Sequence, residues 1–144
     1  MLTLDEKILS NLKTVLESVP GFSASTVFRF SQLGHAYDDV PCIDIVFGGA
    51  DFIKCTNIYS DFDMTVHIDI FTRDSSSNTD AVMSALTHDV IKAIMADPTR
   101  GGLALNTEIK KIEPFLTALG QPEVMRSIDL NIRYRINTKN PDQN

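Results

Sequence analysis

The sequence predicts an α+β fold: a mixed, mainly antiparallel β-sheet with two amphipathic helices packed on one face. Three observations lead there. Segments 3–19 and 80–96 carry apolar residues at helical spacing. Segments 63–73 and 124–136 alternate apolar and polar residues, the period of a strand with one buried face. The order is helix, three strands, helix, two strands, with no repeat and no linker, so one shared core is expected. The 144 residues suit one domain over 1–136, with a disordered tail over 137–144.

The first helix, "TLDEKILSNLKTVLESV", opens with Thr3 and Glu6 at capping-box spacing. Ile8, Leu12, Val15 and Val19 form its apolar stripe, and Pro20-Gly21 ends it. "STVFRF", 25–30, is a short β-prone run, and 31–40 reads as a loop. In "PCIDIVFGGADF", 41–52, Ile43, Ile45 and Phe47 alternate with Cys42, Asp44 and Val46. Pro41 suits a strand start, and Gly48-Gly49 bends or ends the strand. Residues 53–62 fit either a continued strand or a loop.

"DMTVHIDIFTR" sets Met64, Val66, Ile68 and Ile70 on one face and Thr65, His67, Asp69 and Phe71 on the other. The polar turn 74–80 leads to the second helix, with Val82, Leu86, Val90 and Ala93/Ile94 inward and Asp80, Thr87, His88 and Lys92 toward water. Pro98 ends that helix. A strand over 103–116, a turn over 117–122 and the last strand complete the chain. The last strand faces Ile128, Leu130, Ile132, Tyr134 and Ile136 one way. Ser127, Asp129, Asn131, Arg133 and Arg135 face the other.

Apolar residues make up 43% of the chain and charged residues 22%, the balance of a globular protein rather than a disordered one. The net charge of -6 opposes wrapping of nucleic acid, which requires phosphate neutralisation. An acidic wall can still border DNA, because repulsion keeps the polyanion from sticking. "MLTLDEK" does not read as a signal peptide, and no run approaches the ~18 apolar residues of a membrane span. Cys42 and Cys55 are too far apart for a CxxC pair and read as reduced thiols.

The motifs do not assemble a reaction centre. "RGG" at 100–102 follows a helix C-terminus, where the dipole repels phosphate, so the glycines read as a helix-to-strand turn and not a phosphate loop. His35, His67 and His88 have no metal-ligand spacing. Asp61 and Asp63 lack the glycine and distal Glu of a calcium loop. Ser75, Ser76 and Ser77 are capping residues, and Cys55 has no basic neighbour in sequence to activate it. His67 and Asp69 read as a polar pair on an exposed strand face. No catalytic residue, cofactor or metal is expected.

Four pieces in order resemble the tail terminator, or tail-completion, proteins of long-tailed bacteriophages, the lambda-like minor tail family. They are the opening amphipathic helix, "PCIDIVFGGADF", the "VHIDIFTRD" strand leading into a helix, and "AIMADPTRGGLALN" closing that helix. "SIDLNIRYRI" is similar to the family's alternating C-terminal strand. The resemblance covers 3–136 and has no counterpart at 53–62. It implies a structural virion protein, present in host cytoplasm during assembly, that closes into a homo-oligomeric ring of six. The ring caps the tail-tube protein, ends tube growth and offers its other face to a head–tail connector, while DNA passes through the lumen without specific binding. A head-to-tail interface that closes by rotation is required.

On this reading Thr65, His67, Asp69, Asp129, Asn131 and Arg133 face the lumen or a neighbouring subunit. Asp51, Asp61, Asp63, Asp97 and Arg100 form contact loops at 48–63 and 97–102, with Arg100 exposed and paired to a neighbour's carboxylate. The alternatives are a tail-tube subunit or head–tail adaptor of similar fold, and a small-molecule enzyme or ligand-binding α+β domain with a pocket at His67 and Asp69.

Overall fold

A computed structural model describes residues 3–29, 41–73, 79–116 and 123–140. The expected loop over 31–40, the turns over 74–78 and 117–122, and residues 141–144 lie outside them. The elements are α1 (Leu4–Glu17), β1 (Val27–Arg29), β2 (Cys42–Cys55), β3 (Tyr59–Arg73), α2 (Thr79–Met95), β4 (Asn106–Leu116) and β5 (Glu123–Asn137). The five strands form one sheet in the order β1-β2-β3-β5-β4. Only β1 and β2 pair in parallel; the other three pairings are antiparallel. The predicted α+β class and mixed, mainly antiparallel sheet are therefore present.

Period-2 alternation sets the core. Ile43 and Ile45 of β2, Met64, Val66, Ile68 and Ile70 of β3, and Ile128, Leu130 and Ile132 of β5 are buried in one cluster with the helices. The expected inward faces of β3 and β5 are correct. Both helices use stripes that differ from expectation. In α1 the buried set is Leu4, Ile8, Leu9, Leu12 and Leu16; Val15 is only partly buried. Thr3 sits at the helix start but makes no side-chain cap, and Glu6 turns instead to Arg29, in a two-pronged ion pair at 2.9 and 3.0 Å.

In α2 the buried residues are Met83, Thr87, Val90 and Ile94, while Val82 is exposed and Leu86 half-buried. Thr87, expected in water, is buried because its hydroxyl donates to the Met83 carbonyl at 2.7 Å and so keeps a partner.

Residues 53–62 continue the strands. β2 runs to Cys55, the chain reverses through Thr56–Ile58, and β3 starts at Tyr59. The Thr56 amide donates to the Tyr59 carbonyl at 2.7 Å, and the Thr56 hydroxyl accepts from the Ile58 and Tyr59 amides. Gly48-Gly49 bends β2 without ending it. The register slips between Phe47 and Ala50, and Gly49 takes φ 99°, which favours glycine. The segment 48–63 is thus a β-hairpin, not a loop.

β4 begins at Asn106, three residues later than expected. The last strand reaches Asn137, and the Thr138 amide donates to Ile58 at 2.7 Å, so the chain is held past 136.

Candidate functional site

The sheet face opposite the helices is a polar array built by register. Thr65 lies opposite Asn131, His67 opposite Asp129, Asp63 opposite Arg133, and Asp61 opposite Arg135. Cross-strand neighbours share a face, so the period that buries Met64, Val66 and Ile68 also sets these residues in a row. All six residues expected on the outward face, Thr65, His67, Asp69, Asp129, Asn131 and Arg133, lie there together.

Most of the charge is neutralised within the chain. Arg133 clasps Asp63 at 2.9 and 3.1 Å, and Arg135 clasps Asp61 at 2.7 and 3.0 Å. Planar two-pronged pairs of this kind are the strong form of the contact. The guanidinium bonds hold both carboxyls below the ordinary aspartate range, against the opposing effect of burial. Asp61 is nearly buried, with 5% of its side chain exposed against 24% for Asp63. The Arg135 guanidinium also lies over the Tyr59 ring, 5.3 Å from its centre.

His67 Nδ1 is 2.6 Å from Asp129 Oδ1. Gly48 makes room for that ring. A Cβ there would stand 3.0 Å from His67 Nε2 and 3.2 Å from Thr65 Cγ2. Asp69 sits deeper. Burial, reinforced by Asp44 and Asp129, raises its carboxyl above the ordinary range, with Ser127 and His67 pulling the other way. His67 and Asp69 lie on the same face, but His67 pairs across the strands with Asp129 and not with Asp69 along its own strand.

The residues expected at contact loops divide. Asp61 and Asp63 belong to the polar array. Asp51 is exposed on β2 opposite Asp63, and it makes no ion pair with any described residue. Asp97 closes its own turn, accepting from the Thr99 hydroxyl at 2.7 Å and the Gly101 amide at 2.7 Å. The Thr99 and Gly101 bonds lower its pKa.

Arg100 is a correction. It is 0% exposed, and its guanidinium donates to the carbonyls of Ile94 and Asp97 at the end of α2. The α2 C-terminus leaves carbonyls without amide partners, and the buried cation answers them. Arg100, Gly101 and Gly102 all have positive φ, so the chain coils tightly enough to fold the side chain back under its own helix. An exposed ion pair to a neighbour is incompatible with that burial.

Two features of this surface escaped the sequence reading. Asp44 is buried on the polar face, and Arg135 completes the Asp61 pair. The signal was present as Asp-x-Asp at 61–63 and Arg-x-Arg at 133–135, but it becomes legible only once β3 and β5 are known to be neighbours in that register.

Surface hollows among the described residues measure about 50, 120 and 160 Å³. Small-molecule pockets typically occupy roughly 300–1,000 Å³. Among the described residues no group of three or more His, Cys, Asp or Glu is placed to hold a metal ion, and no helix is long and apolar enough to cross a membrane.

No family model and no curated protein matches the sequence. Among solved structures, the chain is similar to one in the virion of a native gene transfer agent (GTA) particle. That likeness has a TM-score of 0.45 and 8% identity over 92% of each chain.

Proposed function

We propose that this chain is a structural virion protein of the phage-tail type, a tail terminator that closes as a ring on the last ring of the tail tube. It acts by shape and has no catalytic role. The observation that carries this reading is the sheet face opposite the helices, a polar surface on which Arg133 and Arg135 are paired off within the chain. A lumen wall needs that combination. Unpaired arginines would hold passing DNA through its phosphates, whereas closed pairs within an acidic chain give it no foothold.

The order of motifs along the chain supports the same family. So do the free edges of the sheet, since β4 pairs only with β5, and β2 beyond Ile45 pairs only with β3 among the described residues. A sheet with two open edges can join to copies of itself head to tail, and a rotation that closes gives a ring. The ring is a hexamer by resemblance. One face meets the tail-tube protein and the other the head–tail connector.

Sizing the purified protein tests this reading against the tube-subunit alternative. A terminator stays monomeric or forms a single ring at any concentration. Tubes that lengthen without limit would make the chain a tube subunit and overturn the terminator assignment.

A further inference from the structure

The register sets two carboxyls face to face. Asp44 of β2 lies directly opposite Asp69 of β3 on the polar side of the sheet. Directly opposed side chains of an antiparallel pair have Cβ atoms about 4.5–5.5 Å apart, within reach of one hydrogen bond between two carboxyl groups. Water is scarce for both: Asp44 is 8% exposed and Asp69 is half-buried.

The described groups around them, element by element, do little to offset two negative charges. On β3 the nearest basic group is His67, and its ring is taken by Asp129 at 2.6 Å. β5 offers the Ser127 hydroxyl opposite Asp69, and a third carboxyl at Asp129. β4 sets Lys111 opposite Asp129 and Glu113 opposite Ser127, and these two pair with each other. β1 places Phe28 opposite Asp44, while Arg29 lies opposite the buried Ile45 and clasps Glu6 of α1. Each of these basic groups therefore has a carboxylate of its own.

We propose that Asp44 and Asp69 hold one proton between them, and that this shared proton is a pH-sensitive latch across β2 and β3. Two like carboxylates in one poorly hydrated site repel, so one of them stays protonated to higher pH than it would in water. With the proton in place, a carboxyl O–H donates to the facing carboxylate oxygen, a short and strong form of hydrogen bond. When the proton leaves to solvent, that bond is lost and two anions stand opposed. Burial, with Asp44 and Asp129 adding to it, holds the Asp69 carboxyl above its ordinary range, the direction that sharing requires. The latch therefore contributes fully below about pH 3.8 and is lost as pH rises through the folded value. It belongs to the single chain and does not depend on assembly.

The test is an acid-to-neutral titration of the parent protein by carbon NMR, following the aspartate carboxyl carbons. Asp69 is expected to titrate at higher pH than Asp61 and Asp63, whose arginine partners hold them down. The Asp44 carbon is expected to move at the Asp69 midpoint, because both signals report the common proton. Asp44→Asn should lower the Asp69 midpoint by roughly one pH unit, since it removes the facing charge and leaves the burial.

An Asp69 midpoint equal in Asp44→Asn and in the parent would leave burial as the whole cause and overturn the latch. So would an Asp44 carbon that stays still while Asp69 titrates. That second reading needs only the parent protein, so it decides the matter even where Asp44→Asn fails to fold.

Discussion

Arg100 offers the sharpest stability test, because removing it separates two terms of opposite sign. Replacing it with Ala deletes two charge-assisted bonds to the Ile94 and Asp97 carbonyls. At about 1.5–3 kcal/mol each, these contribute about 3–6 kcal/mol. Against this, Nε and Nη1 are buried without partners, and relieving them returns about 1–3 kcal/mol. The net expectation is a loss centred on about 2.5 kcal/mol, within a span of about 0–5 kcal/mol. For a chain of this size the central value lowers the melting temperature by about 10 °C, at about 4 °C per kcal/mol.

Arg100→Gly loses the same side chain but also relaxes the left-handed backbone, φ 53°. It should recover about 1 kcal/mol, or about 4 °C, relative to the Ala variant. Thermal melts followed by far-ultraviolet circular dichroism read both. A melting temperature for Arg100→Ala equal to or above the parent's would refute the capping role, and an Ala variant more stable than the Gly variant would refute the strain.

Other outcomes follow from the same contacts. Ile68→Asp places a charge at a 0% exposed position in the central strand and should abolish cooperative melting, as seen by calorimetry. Arg135→Ala should lower the melting temperature more than Arg133→Ala, because Asp61 has less water than Asp63 to replace the lost partner.

Asp69→Asn should raise the melting temperature at pH 7. A carboxyl whose pKa rises on folding binds its proton more tightly in the folded chain, so stability falls as pH climbs from about 3.8 through the raised folded value. The gain from Asn should therefore shrink toward zero below pH 3.8, and a gain independent of pH would contradict the assignment. Gly48→Ala should shift the His67 ring signals in proton–nitrogen NMR spectra while the fold persists, since the new methyl meets Nε2 at 3.0 Å. Unchanged signals would place the ring elsewhere.

Strand faces were legible because their period is 2 and the pattern is long: Met64 to Ile70 and Ile128 to Ile136 admit only one inward side. The polar array followed from the same count. Helix stripes were less legible because neighbouring apolar positions compete. Val15 and Leu16 both fit the α1 spacing, and packing chose Leu16; Val82 and Met83 competed in the same way in α2.

Arg100 was misread for a different reason. Its burial depends on three consecutive positive-φ residues curling the chain beneath α2, and propensity places arginine in water by default.

The most direct measurement is tube growth followed by electron microscopy, with tail-tube protein from the same genome polymerising in the presence and absence of this chain. The account predicts tubes that stop growing once the chain is added, each with a single ring of extra density at one end. Tubes that elongate unchanged, with bare ends and the added protein left free in solution, would contradict it.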